Sequence, residues 1–413
     1  MITNQSKLYS KYFGSANIDE MNFYYRKHFV KPNLLQKIKR LATILFYRFS
    51  YRNVITSEGK PNTVFLFSND YNNRPDHLKY FFNVANLIHN KIVVQGIALF
   101  KPSKPKLVGI PISVFFGFLK VLKSQGEEYY WELATRLYCI LSDYDEVYSY
   151  IKRNNIQLKN LVTYCDVVGV DYFFTYKMNE MGINTITLQH GLYTNRNPQA
   201  FLYSHSKSFF AINEYTVKLF RGHNIDKEFH VVGMPQNIGI QKSELDCDNN
   251  KEVINVGILL DGVRSFDDNV KILKIANDIA QDSRYRIYVK FHPSSPSSEY
   301  DLRQLRSSIK IEKTNVAIEK FVHNIDIGIL NKSTTILQLL YLNVPVLLYE
   351  KTNIIDNIPE TIKFLDSKDL VPKILSIYSN EYKDFYSKFK SELIPNDDIS
   401  LLYKNAFNVY GIT

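Results

Sequence analysis

Three loops of this chain bring ionisable and hydroxyl side chains to the ends of apolar runs. The first is Gln189-His190-Gly191, which interrupts the strand-like run Ile183–Thr187. An imidazole at a cleft rim can take a proton from a hydroxyl near neutral pH, and the glycine allows a tight turn with close backbone approach. A core histidine hydrogen-bonded to backbone is the competing reading. The second loop is VKFHPSSP, Val289 to Pro296, where Lys290, His292 and serines gather and Pro293 stops the strand ladder. Cation, imidazole and hydroxyls together suit a phosphate or pyrophosphate; a turn that happens to contain a histidine is the alternative. In the third, ILNKSTTILQLL, a strand runs into Asn331-Lys332 and Ser333, Thr334 and Thr335 open a helix. Such hydroxyls cap free backbone N–H groups, and the same N–H groups bind anions. Plain capping would leave the same pattern.

The elements that must position these loops alternate. Strands are predicted at 62–68, 91–100, 158–166, 183–189, 207–213 and 228–235, with helices at 76–90, about 126–154, 170–182 and 214–222 between them. The pattern restarts after the polar segment 241–252. Strands at 253–262, 285–291, 325–330 and 344–350 then alternate with helices near 267–281, after 292–300 and at 335–343. Alternation of this kind means βαβ units and parallel sheets, whose ligands sit at the carboxyl ends of strands. The expected division is a basic helical extension over 1–60, an N-terminal domain over 61–240, a C-terminal domain over 250–390 and a final helix over 391–413. That helix either stays with the second domain or returns to the first.

Composition is that of a globular protein, 45% hydrophobic and 22% charged. Cys139, Cys165 and Cys247 form no CxxC pair and no zinc spacing, and read as incidental thiols of a reducing cytosol. The N-terminal MITNQSKLYSKYFGS lacks the apolar core of a signal peptide. The longest uncharged apolar stretch, Leu107–Leu119, falls short of the roughly 20 residues of a membrane span. A cytoplasmic protein is therefore expected. Net charge is +10, of which residues 1–60 carry eleven Lys/Arg against three acids. Lys101, Lys104, Lys106, Lys120 and Lys123 form a second basic island. Such fields attract an anionic membrane, an anionic glycan or nucleic acid, and no nucleic-acid-binding motif is present. Glycine-rich dinucleotide and P-loop signatures are absent, which argues against a dehydrogenase or P-loop NTPase. The triplets Asp143-Tyr144-Asp145 and Asp246-Cys247-Asp248 end no strand and read as solvated acids.

Taken in order, TLQHGLY (187–193), HVVGMPQN (230–237), KFHPSSP (290–296) and NKSTTILQLLYLNVPVLLYE (331–350) resemble bacterial GT-B-fold glycosyltransferases and polyol-phosphate transferases of surface polysaccharide synthesis. These include capsule, lipopolysaccharide and teichoic-acid enzymes. The likeness spans about 160–350. It implies an α/β fold of two Rossmann-like domains facing a cleft. It also implies that His190 is the base and that His292, Ser333, Thr334 and Thr335 contact the donor. Lys290, Pro293, Gln189 and Gly191 are further candidate donor contacts, and Asp261 in LLDG (259–262) is a second candidate base. Two departures stand out: Gln338 occupies a position often held by Glu, and Asn343-Val344-Pro345 replaces Gly-x-Pro. The donor nucleotide, CMP, CDP or UDP, stays open.

The resemblance leads to an inverting transferase that needs no metal and no cofactor. His190 would deprotonate an acceptor hydroxyl on a glycan or lipid-linked acceptor, and Lys290, His292 and the Ser333 helix would meet the leaving nucleotide's charge. Polyol-phosphate transfer, sugar-nucleotide epimerisation and a non-catalytic glycan-binding role are the alternatives. Finally, Asn33–Arg52 aligns Leu34, Ile38, Leu41, Leu45 and Phe49 on one helical face, with Lys37, Lys39, Arg40 and Arg48 mainly off it. That stripe either packs on the chain's own first domain or lies on an anionic membrane, on the inner face of the cytoplasmic membrane.

Overall fold

The apolar runs become two separate sheets. The computed structural model describes residues 4–26, 29–50, 52–68, 75–96, 109–195, 198–240, 251–262, 265–292, 295–314, 316–331, 333–349, 360–377 and 379–413. The first sheet contains β1 (Asn53–Ser57), β2 (Thr63–Phe67), β3 (Lys91–Gly96), β4 (Asn160–Thr163), β5 (Asn184–Leu188), β6 (Ser208–Ala211) and β7 (Glu228–Val231). Their order is β1-β3-β2-β4-β5-β6-β7, parallel except for β1, which runs antiparallel to β3. The second contains β8 (Ile254–Leu259), β9 (Tyr285–Lys290), β10 (Lys310–Glu312), β11 (Ile327–Leu330), β12 (Val346–Tyr349) and β13 (Lys363–Phe364), all parallel. Its order, β10-β9-β8-β11-β12-β13, is the doubly wound 3-2-1-4-5-6 arrangement, with its switch point between β8 and β11. β2, β4, β6, β11 and β12 are buried at every position, because helices cover both faces and select continuous apolar runs.

The N-terminal residues are not a separate extension. Helices α1 (Asn4–Phe13), α2 (Ile18–Arg26) and α3 (Leu34–Phe49) share a core with α5 (Ile112–Ser124), α6 (Tyr130–Arg153) and α7 (Gly169–Glu180). Phe13 packs on Phe118 and Phe173, at ring distances of 5.7 and 5.0 Å. The short β-branched run at 54–56 is enough to add β1 to the sheet edge, so this region is not wholly helical. α4 (Pro75–Ala85) follows β2, while α8 (Gln199–Leu202) and α9 (Glu214–Gly222) flank β6.

In the second domain, α10 (Phe266–Ile279) crosses from β8 to β9, α11 (Ile318–Val322) precedes β11, and α12 (Thr335–Tyr341) joins β11 to β12. Gly328 in β11 lets α12 lie close, since an added Cβ would come within 2.5 Å of Leu339. The helix expected after 292–300 is confined to the five residues of α11, and the chain before it makes two single 3₁₀ turns, Ser297–Glu299 and Leu302–Gln304, and β10. Asp301 accepts the Arg303 N–H there, a local bond that competes with helix. Helices α13 (Ser367–Ser376), α14 (Asn380–Leu393) and α15 (Ile399–Asn408) close the chain. α15 lies against the first sheet: Phe407 meets Phe65 at 5.7 Å and Phe210 at 5.0 Å, and Tyr403 donates to the Gly233 carbonyl at 3.3 Å. Asp143 is buried on α6 near Arg52 rather than solvated. The second triplet, Cys247, most of the 241–252 segment, and Lys101, Lys104 and Lys106 lie outside the described residues.

Candidate active site

Both domains contribute to one cleft of about 610 Å³. One wall is His77, Lys79 and Tyr80 on α4, His190 after β5, and Met234 and Gln236 after β7. The other is Leu259 and Leu260 at the end of β8, Lys290, Phe291 and His292 at the end of β9, and Thr314 with Val316–Glu319. Ser333, Thr334, Thr335 and Gln338 complete it. The walls come close where a Cβ added to Gly191 would lie 3.7 Å from the Thr334 methyl.

The turn that carries His190 is fixed by its neighbour. Gln189 is fully buried, donates to the Gly191 carbonyl at 2.7 Å and to Thr216 Oγ1 at 3.0 Å, and accepts the Ile212 N–H at 2.8 Å. These bonds engage both ends of its amide inside the fold, so Gln189 positions the turn and is not a donor contact. Gly191 does not occupy the left-handed region and meets only ordinary van der Waals distances. The need for glycine is therefore weaker than its place in the motif suggests.

His190 Nδ1 lies 3.4 Å from the Tyr193 hydroxyl, and its ring is 6.0 Å from Tyr164 and 6.4 Å from His77. Burial among these rings, with the second imidazole of His77 adding repulsion, lowers its pKa from 6.5 to about 3. The group is neutral at pH 7. Which ring nitrogen holds the proton decides whether it offers the cleft an acceptor or a donor.

On the facing wall, the Lys290 ammonium donates to the carbonyls of Lys313 (3.4 Å) and Thr314 (3.3 Å), and burial lowers its pKa. It holds the 313–314 segment as well as facing the cleft. Ser333 and Thr335 share a 2.8 Å hydroxyl contact, and the Thr335 N–H reaches Ser333 Oγ at 3.3 Å. Thr334, the cap residue, makes no side-chain cap bond. Two cleft amides, Gln236 and Gln338, are buried with Oε1 and Nε2 respectively lacking a partner. Asp261 is not among the cleft-lining residues. Its carboxylate receives the Ser265 hydroxyl at 3.3 Å and its backbone N–H is held by Asn269, which makes it a poor second base. Pro293 lies outside the described residues.

Sequence reasoning missed His77, Tyr80 and Gln236. The first two stand three apart on α4, directly after β2, so one helical face at a strand's carboxyl end was the available signal. Gln236 sat unremarked within GMPQN, and Gln338 was noted only as a departure.

No family model matches the sequence, and no curated protein matches it. Solved structures do match. A Listeria monocytogenes protein assigned as a UDP-N-acetylglucosamine 2-epimerase aligns over 86% of this chain and 96% of its own, with TM-score 0.53 and 11% identity. The S. aureus MnaA–UDP structure aligns over 84% and 95%, with TM-score 0.50 and 11% identity. A Rickettsia africae glycosyltransferase covers 85% and 98%, with TM-score 0.48 and 13% identity. At such identities the likeness is one of fold, and the chain has the two-domain, doubly wound architecture of the matched structures, the GT-B type.

Proposed function

We propose that the cleft binds a nucleotide-activated sugar and that the chain is a glycosyltransferase, inverting and independent of metal. The observation that supports this most is the pairing of unlike walls. A neutral imidazole, His190, faces a cluster of hydroxyls, an ammonium and a second imidazole across one cavity of nucleotide-sugar size.

In this reading, His190 accepts the proton of an acceptor hydroxyl. The oxygen forms a bond to the anomeric carbon while the bond from that carbon to the phosphate oxygen breaks. The nucleotide leaves with the electron pair. His292, Ser333 and Thr335 hydrogen-bond the phosphates, and the Lys290 ammonium adds charge at short range. An imidazole with a pKa near 3 has little hold on a proton in the empty cleft. The negative phosphates of a bound donor raise that affinity, which couples proton transfer to donor binding. Gln236 and Gln338 supply the unmet amide atoms. A buried polar atom without a partner costs about 1–3 kcal/mol, so a sugar or ribose hydroxyl is strongly favoured there. The acceptor is read as a surface glycan or lipid-linked saccharide, and the donor as a CMP, CDP or UDP sugar.

Epimerisation is the second reading, favoured by His77. Two imidazoles 6.4 Å apart on one wall could exchange protons with a bound sugar. A single pair of incubations separates the two. With nucleotide sugars alone, an epimerase incorporates solvent deuterium into the sugar. A transferase instead releases nucleotide in proportion to added acceptor. Neither outcome with any nucleotide sugar would reject both.

A further inference from the structure

Helix α3 turns its apolar stripe away from the protein. Leu34, Ile38, Ala42, Leu45 and Phe49 share one helical face. Leu34 is 74% exposed, Ile38 55%, Leu45 47% and Phe49 50%, with Leu35 beside them at 58%. The inward side is a different set of residues. Ile44 and Tyr47 are buried, Arg40 pairs with Glu132, and Arg48 donates to the Ile110 carbonyl at 2.8 Å. The usual polarity of a surface helix is thus inverted. Single exposed hydrophobes are ordinary, but an aligned stripe along about 24 Å of helix is not.

The charges around the stripe identify what covers it. Lys37 and Lys39 fall on its two flanks, and exposed Lys31 precedes the helix beside Glu128. No acidic residue occurs in the sequence between Glu20 and Glu58, while that interval holds eight Lys/Arg. A second protein surface could meet the apolar stripe, but a cationic border on both flanks fits a plane of anionic headgroups. We infer that α3 docks on an anionic lipid bilayer, with the stripe entering the acyl boundary and Lys37 and Lys39 at phosphate level. The inference rests on α3 alone and stands or falls separately from the transfer reading.

The test is sedimentation of the full chain with vesicles of phosphatidylcholine, alone or mixed with phosphatidylglycerol. The mixed vesicles should carry the protein down at low salt and release it at high salt, and the neutral vesicles should not. Leu34→Gln/Ile38→Gln/Leu45→Gln should weaken partitioning at least about tenfold. Lys37→Glu/Lys39→Glu should do the same through charge, each position contributing about fivefold or more. All five residues are outside the buried core, so thermal unfolding should stay at the wild-type temperature. If the stripe variant fails to fold, the lysine pair decides. Wild-type protein left in the supernatant at low salt overturns the inference, as does a folded variant of either kind that still sediments fully. Lipid-free dimers that the stripe variant abolishes, with no vesicle binding, would assign the face to a second copy instead.

Discussion

The two walls of the cleft are built from different chemistry on similar scaffolds. Each domain presents strand ends to the gap, yet the first wall gathers the rings of His77, Tyr80 and His190 with Lys79, and the second gathers hydroxyls with Lys290, His292 and Glu319. The difference follows from how each strand ends. β5 ends in a turn locked by Gln189, which leaves His190 crowded among Tyr164, Tyr193 and His77 and so keeps it neutral. β9 ends in the half-buried His292 beside a buried Lys290, and β11 is followed by Ser333–Thr335, whose hydroxyls are partly open to solvent. One wall suits proton transfer and the other suits charge.

The largest effect that would break this division is expected at His190. His190→Ala should lower turnover by roughly 10²- to 10⁴-fold, the usual worth of a general base, with the fold intact by circular dichroism. Undiminished turnover would take proton transfer away from the first wall. Next, His292→Ala and Ser333→Ala should each weaken nucleotide affinity by about tenfold to a hundredfold, the range for one hydrogen bond to a charged group. Turnover at saturation should fall less. A smaller loss, about twofold to tenfold in affinity, is expected for Gln338→Met. Its stability should hold or rise, because the Nε2 atom has no partner to lose.

The smallest effects sharpen the comparison through pH. The folded pKa of His190, about 3, lies below its unfolded value of about 6.5. Between these values the unfolded chain takes up a proton that the folded chain does not. The stability due to neutral burial is therefore present above pH 6.5 and lost progressively as pH falls toward 3. Urea titrations of His190→Gln should show a flatter decline across that window than wild type. For the same reason, kcat/KM should have no acid limb from His190 between about pH 5 and 7. A limb near 6.5 that His190→Gln leaves unchanged would point to another imidazole of the cleft.

Most of this architecture was legible because burial on both faces writes itself as continuous apolar runs. β2, β8 and β11 are examples, and the strand ends identified the loops of His190, His292 and Ser333. What escaped reading was whatever depends on which side of an element faces what. His77 and Tyr80 looked like ordinary helix surface until α4 was set beside the cleft. Gln189 looked like a ligand contact until its three partners were in place. The stripe on α3 was plain as a periodicity, but a helical wheel does not say which way it turns. Arg40 belongs to the inward face through Glu132, although its spacing put it among the basic residues flanking the stripe.

Whether proton transfer and anion binding sit on opposite walls is decided most directly by calorimetric titration of a nucleoside diphosphate. UDP, CDP or GDP, whichever binds best, would be titrated into wild type, His190→Ala and the double variant His292→Ala/Ser333→Ala. His190→Ala should retain wild-type affinity to within about twofold, while the double variant should lose at least about tenfold. Equal losses in both variants, or the larger loss at His190, would contradict that division.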